Sequence, residues 1–166
     1  MVIMEGFGRG LVLEPFFATV VLGANLIMQG GSDAQKEELL PKLAEGDLKL
    51  AFAYAERQAR FDLHDVETKA EKSGDGYIIT GAKGVVFGAA AADKIIVTAR
   101  TSGDSRDTNG ITLFLVDSGA SGVSRRDYTT NDALRASEIE FAGVQVGADA
   151  VIGNIDGGHA IIERVA

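Results

Sequence analysis

The stretch LKLAFAYAERQARFDLHDVETKAEKSGDGYIITGAKGVVFG, residues 48–88, decides the fold, because three predicted strands meet in it. In its first run, Leu48, Leu50, Phe52 and Tyr54 alternate with a lysine and alanines, which predicts a strand with one bulky and one nearly flat face. The flat face has two interpretations. The alanines let a helix or a second sheet approach, or they leave room for a planar ligand that reads unpaired N–H and C=O groups at the strand end.

The length, charge and cysteine content of the chain exclude several classes of function. With 166 residues, 46% of them hydrophobic, the chain can bury one core and carry a helical appendage. A net charge of −8 argues against nucleic acid or an anionic membrane as a partner. The absence of cysteine excludes disulfides, thiolate zinc sites and cysteine nucleophiles, and fits a reducing cytosol. Because no apolar run has the length of a membrane span and no signal peptide is recognisable, we expect a soluble, cytoplasmic protein.

Two helices are predicted before the strands. Pro15 suits the first position of one helix, whose apolar face would consist of Phe17, Val21, Ala24 and Met28. Ser32 and Gln35 have the spacing of a capping box at the start of the next helix, and Gly46 stands where that helix would end. Pro41 is expected to break the second helix into two pieces.

The remainder of the chain shows a period of two. Seven or eight short strands are separated by glycine-containing turns, including a hairpin turn at residues 73–76. Residues 110–117 are apolar on both faces and are therefore expected in a central strand. Glu138 and Glu140 alternate with apolar neighbours, as in a half-buried strand. The pattern predicts an α+β chain in which short helices precede an antiparallel β-barrel or a pair of packed sheets.

The order of these segments resembles the acyl-CoA dehydrogenase family from about Pro15 to the end, through LLPKLAEG, AFAYAE, DGYIITGAK, KIIVTAR, GITLFLVD and EIEFAGVQV. The runs AERQARFD and GAKGVVFG look most like the small subunits of two-gene members such as pimeloyl-CoA dehydrogenase. The resemblance implies three regions. Residues 1–47 would end an N-terminal helical bundle, residues 48–153 would form the middle β domain, and residues 154–166 would begin a C-terminal helical domain that is otherwise absent.

The resemblance also implies an oxidoreductase of acyl-CoA metabolism, such as fatty acid β-oxidation, that uses FAD to introduce an α,β double bond into an acyl-CoA thioester. Flavin contacts are implied at Tyr54, Ala55, Glu56, Phe61, Val85, Val86 and Phe87. Contacts to the acyl-CoA substrate are expected at Arg60 and Phe61, because a guanidinium group suits the phosphates of CoA. The family's catalytic base is a carboxylate of the C-terminal domain, so no catalytic residue is assigned in this chain. A homo- or hetero-oligomer and an electron-transfer flavoprotein are the other implied partners.

The chain departs from the family pattern at three places. The usual Thr-Glu-Pro and Gly-Ser-Asp are Ala55-Glu56-Arg57 and Arg60-Phe61-Asp62 here, and the usual Trp-x-Thr is Val85-Val86-Phe87. Polar contacts to the flavin are thereby lost at positions 55, 61 and 87, each worth about 1 kcal/mol if nothing replaces it. The alternative function is therefore a flavin-less structural partner subunit of a heteromeric acyl-CoA dehydrogenase.

Other polar residues carry weaker signals. His64 and His159 are too few and too isolated in the sequence for a metal site of ordinary spacing, so no metal is expected. No serine has a Ser-His-Asp context, which argues against a hydrolase. Lys83 is expected at the mouth of a strand for structural reasons.

Overall fold

A helical segment precedes eight β-strands in the computed structural model, which describes residues 2–12 and 15–165. The helices are α1 (Val2–Gly10), a π-helix (Phe17–Ala24) that continues into α2 (Asn25–Gly30), α3 (Asp33–Glu45) and α4 (Gly158–Val165). The strands are β1 (Leu50–Ala53), β2 (Lys69–Ser73), β3 (Gly76–Phe87), β4 (Lys94–Arg100), β5 (Ile111–Asp117), β6 (Val123–Thr129), β7 (Arg135–Val146) and β8 (Val151–Ile152). Residues 1 and 166, the outer ends of the predicted domains, lie outside the described residues.

The strands form one open sheet in the order β6-β7-β3-β2-β4-β5-β8, with β1 paired to β4. The α+β class is confirmed, but the sheet is mixed and does not close into a barrel. The prediction of purely antiparallel pairing is wrong for β1, which runs parallel to β4 over residues 50–53 and 94–97. A parallel pair needs a crossover connection, and the β2–β3 hairpin supplies it in place of a helix.

Two apolar layers explain why the central strands lack polar faces. Ile96 and Leu113 pack toward the helices together with Leu26 and Ile162, whereas Ile95 and Phe114 pack toward β3 and β7. The prediction that residues 110–117 form a central strand is confirmed, because β5 lies between β4 and β8. The hairpin turn at 73–76 and the outward position of Glu140 are confirmed as well.

The alanines of the first strand lie inside the protein. Ala51 and Ala53 are fully buried among the residues that pack between the strands, and Leu50 and Phe52 face the helices. The first interpretation of the flat face is therefore correct for these two alanines, since another part of the sheet covers them. Only Ala55, beyond the end of β1, remains accessible to a ligand.

The helices differ from their predicted form in two respects. The wider π-helical turn shifts the buried face, so the helix buries Ala18, Thr19, Gly23, Leu26 and Ile27, whereas Phe17 is 54% and Met28 48% exposed. Helix α3 runs unbroken through Pro41, because Leu39 and Leu43 anchor both sides of the proline in the core. Its predicted ends are confirmed: Ser32 and Gln35 form the capping box, and Gly46 ends the helix in a left-handed conformation.

The helical segment also completes the free edge of β1. The Thr19 hydroxyl donates to the Leu50 carbonyl oxygen at 3.0 Å and accepts from the Leu50 N–H at 3.2 Å. A Cβ at Gly23 would stand 2.7 Å from the Leu50 Cβ, so a glycine is required where the π-helix crosses the strand. None of the helices in the described ranges has the length and apolarity needed to traverse a bilayer.

Candidate functional site

The two backbone segments expected to contact a flavin lie side by side. Beyond the end of β1, the Ala55 carbonyl oxygen accepts a hydrogen bond from the Gly84 N–H of β3 at 2.8 Å. This bond joins residues 54–56 to the start of residues 85–87. The fold therefore brings together Ala55 and Gly84, which are 29 positions apart in the sequence.

A β-bulge turns one of the predicted residues outward. Lys83 pairs with Ile139 and Val86 with Ser137, so Gly84 and Val85 of β3 together oppose a single residue of β7. Val85 has a φ of +51°, and the residue is 48% exposed. Val86 points the other way, into the core; it is buried and lines neither the groove nor a cavity beside it, so the structure does not bring this predicted contact to the site.

A groove of about 970 Å³ begins at these strand ends and crosses β3, β7 and β6. Its lining includes four arginines: Arg57, Arg60, Arg125 and Arg126. Arg126 pairs with Glu138 at 2.8 Å, whereas Arg57 and Arg60 are exposed and form no ion pair with any residue in the described part of the chain. The lining contains five basic side chains against three acidic ones, Glu56, Glu138 and Glu140, so the formal charge of the groove is positive in a chain of net charge −8.

A smaller apolar cavity lies on the helical side of the same strand ends. Its volume is about 210 Å³, and it is lined by Phe17, Ala18, Leu22, Phe52, Tyr54, Leu63 and Phe87. Two predicted flavin contacts, Tyr54 and Phe87, are in this wall. A third cavity of about 420 Å³, between α3 and the ends of β5 and β7, contains none of the predicted site residues.

The loop after β1 carries the two predicted substrate contacts. Arg60 lines the groove and has a φ of +53°, at a position where the resembled motif has glycine. Phe61 is 97% exposed and lines neither the groove nor the apolar cavity. An arginine therefore adopts a left-handed backbone at a position where the resembled motif has glycine, the residue that adopts it without steric cost.

Sequence reasoning missed a buried ion pair beneath the groove. Lys83 lies inside β3, and its ammonium group donates to Glu56 Oε1 at 2.6 Å and to Thr98 Oγ1 at 2.7 Å. Glu56, predicted as a flavin contact, directs its carboxylate to Lys83; both residues border the groove, but only 4% of the Glu56 side chain is exposed. Side-chain alternation could have predicted that Lys83 is buried. Lys83 follows the buried Ile79 by four residues, and residues an even number apart in a strand share one face.

The pKa values of Lys83 and Glu56 reflect their burial to different extents. Burial lowers the pKa of Lys83 from 10.5 to about 8, because the attraction of Glu56 offsets only part of the cost of desolvation and Arg100 adds repulsion. Burial alone would raise the pKa of Glu56, but the Lys83 charge and hydrogen bonds from Lys83, Gln58 and Glu67 hold it below its usual 4.5. Charge attraction and hydrogen bonds thus compensate for the desolvation of the Glu56 carboxylate, but only in part for that of the Lys83 ammonium group.

The two histidines lie next to each other, although they are isolated in the sequence. The rings of His64 and His159 pack edge to face with centroids 5.9 Å apart, and His159 Nδ1 lies 3.7 Å from Glu163 Oε2. Within residues 2–12 and 15–165, no group of three or more histidine or acidic side chains could hold a metal ion.

Comparison with known proteins assigns both halves of the chain. Residues 1–47 match the acyl-CoA dehydrogenase N-terminal domain, and residues 51–144 match the acyl-CoA dehydrogenase middle domain. Members of this family are FAD-dependent oxidoreductases. The likeness to the small subunit of pimeloyl-CoA dehydrogenase is only a loose one.

Individual relatives agree with this match. The chain is 38% identical to 3-(aryl)acrylate reductase of Clostridium sporogenes over 77% of its length and 34% of that protein. It is 33% identical to mitochondrial isovaleryl-CoA dehydrogenase of Pongo abelii over 98% of its length and 40% of that protein. Among solved structures, the ChsE4-ChsE5 complex from Mycobacterium tuberculosis matches with a TM-score of 0.91 at 27% identity, covering 98% of this chain and 42% of that one. The chain thus spans about two-fifths or less of these relatives, and it belongs to the acyl-CoA dehydrogenase family.

Proposed function

We propose that this chain forms the flavin-contacting part of an enzyme that introduces an α,β double bond into an acyl-CoA thioester. The observation that carries the proposal is the hydrogen bond from Gly84 to Ala55, which sets two strand ends side by side at the head of an arginine-lined groove. In this proposal residues 48–153 act as the middle domain between helical regions at 1–47 and 154–166.

The residues at the strand ends suit a flat, partly polar ring. Ala55 occupies little space, Val85 offers an exposed apolar surface, and the backbone groups of both segments are close enough to bind one ligand. When bound, FAD would supply the hydride acceptor, and this chain would orient it through backbone contacts. Contacts from the backbone suit a chain that has alanine and phenylalanine where family members have hydroxyl groups.

The groove supplies positive charge where a cofactor or substrate carries phosphates. Arg57 and Arg60 present guanidinium groups that no carboxylate in the described residues neutralises. Such groups bind phosphate oxygens through pairs of parallel hydrogen bonds. We assign Arg60 to the phosphates of CoA or of FAD, and Phe61 to a contact made from the exposed tip of the same loop.

The apolar cavity suits the acyl end of the substrate. Its aromatic and aliphatic walls exclude water from one side of the strand ends, where Tyr54 and Phe87 stand. A volume of about 210 Å³ accommodates a short acyl group or one ring. No residue is assigned as the base that removes the α-proton, because the buried carboxylate of Glu56 is committed to Lys83.

This chain alone is expected to be inactive, so purification of the polypeptide completed with the C-terminal domain that the resemblance implies, in the presence of FAD, tests the proposal. We expect the flavin absorbance bands to coelute with the protein and to bleach when an acyl-CoA thioester is added. Elution without flavin absorbance would refute the enzymatic role of this subunit.

A second candidate is a flavin-less structural subunit of a heteromeric acyl-CoA dehydrogenase. The observation that favours it is the apolar character of positions 55, 61 and 87, and the complex of ChsE4 with ChsE5 is a two-component relative. Counting flavins in the assembly that copurifies with this chain separates the candidates. One flavin per pair of different subunits would support the structural role, and one per subunit would exclude it.

The remaining partners follow from the same proposal. We expect an oligomer, an acyl-CoA substrate and reoxidation by an electron-transfer flavoprotein, all within the cytoplasm. Stopped-flow reoxidation of the reduced protein by an electron-transfer flavoprotein, compared with oxygen, tests the electron acceptor.

A further inference from the structure

The loop of residues 57–66 leaves the end of β1 and returns beside its starting point. Glu56 immediately precedes this loop, and Glu67 and Thr68 immediately follow it. The Glu56 carboxylate accepts from the Glu67 N–H at 2.8 Å through Oε2 and from the Thr68 N–H at 3.1 Å through Oε1. One carboxylate therefore closes the base of the loop.

The two halves of the loop are held by different parts of the protein. The second half is bound to residues 100–109: Arg100 donates to the carbonyl oxygens of His64 and Val66, and the Val66 N–H donates to the Ser105 carbonyl oxygen at 2.8 Å. Hydrogen bonds of the first half converge on Glu56. Gln58 Nε2 donates to its carboxylate at 2.8 Å, and the Ala59 N–H donates to its carbonyl oxygen at 3.2 Å.

The first half is also the part that faces the groove. Arg57 and Arg60 belong to it and line the groove. Their side chains are exposed, so the direction in which they point depends on how the backbone of the loop leaves Glu56. A change in the orientation of the Glu56 carboxylate would therefore move both arginines.

Lys83 donates to the Oε1 atom of that carboxylate, which also accepts from the Thr68 N–H. Among the described residues it forms the only ion pair with Glu56, and its side chain is completely buried. The ammonium group also donates to the Thr98 hydroxyl at 2.7 Å, so a second residue restrains the lysine. Buried ion pairs often add little net stability because both charges are desolvated, but they restrict the geometry of the groups they join.

We propose that Lys83 is a positioning residue that, through Glu56, holds the first half of the loop and sets the place of Arg57 and Arg60 at the groove. The significance of the loop for ligand binding rests on the proposed function. The position of the loop itself does not, because it can be measured on the chain without FAD or an acyl-CoA.

Amide hydrogen exchange at Glu67 and Thr68 tests the proposal in the variant Lys83→Met. We expect exchange at one or both of these amides to become at least tenfold faster than in the parent chain. The Val66 amide, which donates to Ser105, should retain its rate. Trypsin should also cleave after Arg57 and Arg60 several-fold faster, whereas cleavage after the exposed Lys72 should not change.

Two further variants keep the test decisive. Lys94→Met removes a lysine of a partly exposed ion pair with Asp117 and should leave the Glu67 and Thr68 amides unchanged. If Lys83→Met does not fold, the double variant Lys83→Met/Glu56→Gln leaves no unpaired buried charge, and the single carbonyl oxygen of glutamine cannot replace both carboxylate oxygens. Unchanged exchange at Glu67 and Thr68, or an equal increase at these amides and Val66, would overturn the proposal. If the parent chain binds no FAD, the proposed function fails but the exchange result stands.

Discussion

The buried Lys83–Glu56 pair predicts an unusual dependence of stability on pH. The perturbation is the double variant Lys83→Met/Glu56→Gln, which removes both titratable groups together. Near pH 7 we expect its free energy of unfolding to lie within about 2 kcal/mol of the parent chain, because the attraction between two buried charges and the cost of desolvating them nearly cancel. Any difference that depends on pH then belongs to these two groups.

Whether stability rises or falls with pH depends on the pKa of each group in the folded and in the unfolded chain. Lys83 has a pKa of about 8 in the folded chain and about 10.5 when unfolded, so the unfolded state binds more protons between these values. The stability of the parent chain relative to the double variant should therefore rise as the pH increases through this window. The interval corresponds to about 3 kcal/mol, at about 1.36 kcal/mol for each tenfold change in proton affinity.

The stability of the parent chain relative to the double variant should also rise with increasing pH in the acid range, because of Glu56. The pKa of Glu56 lies below its usual 4.5 in the folded chain, so the parent chain loses stability as the pH falls through that value. Urea denaturation of both proteins, followed by circular dichroism from pH 3 to 10.5, gives the difference curve. We expect two rises separated by a plateau between about pH 5 and 8. A fall above pH 8 would refute the reasoning, because it would mean that attraction to Glu56 outweighs desolvation at Lys83.

Four substitutions test other parts of the structure by denaturant or thermal unfolding. Ser32→Ala should cost about 1 kcal/mol, because the capping box of α3 is lost. Phe114→Ala should cost about 3–5 kcal/mol through a cavity between the strands, where Phe114 is fully buried. Gly81→Ala should cost about 1–3 kcal/mol, because its Cβ would stand 2.6 Å from the Thr68 Cα. Val85→Gly should raise stability by about 1 kcal/mol, because glycine adopts the φ of +51° without strain, and it should weaken FAD binding measured by titration.

The sequence predicted the parts of the fold that follow from local rules. A run that is apolar on both faces located β5, side-chain alternation located β7, and the Ser32–Gln35 spacing and Gly46 located both ends of α3. The parallel pairing of β1 with β4 could not be read in this way, because a period of two does not distinguish parallel from antiparallel neighbours. The π-helix was missed for a related reason, since an extra residue per turn changes the buried face without any signal from glycine or proline.

The sequence predicted which backbone segments form the candidate site, but not the directions of their side chains. The order of motifs indicated that residues 54–56 and 85–87 meet, and the hydrogen bond between Gly84 and Ala55 joins these segments. The direction of Glu56 was not predictable, because its partner Lys83 is 27 positions away and a charged residue in a strand is usually exposed. The bulge that exposes Val85 and buries Val86 depends on the register between β3 and β7, which no local pattern specifies.

Backbone strain at the groove bears on the choice between the two candidate functions. Arg60 and Val85 both have positive φ values, from different segments, and both line the same groove. Such conformations cost about 1–3 kcal/mol each for residues with a side chain, and glycine would remove most of that cost. A subunit with a purely structural role would gain stability from glycine at both positions. Because Leu11, Ala133 and Asp156 also have positive φ values and do not line the groove, strain alone does not separate the candidates. Weaker FAD binding by Arg60→Gly or Val85→Gly, at unchanged or higher stability, would favour a groove in which Arg60 supplies charge and Val85 an apolar surface.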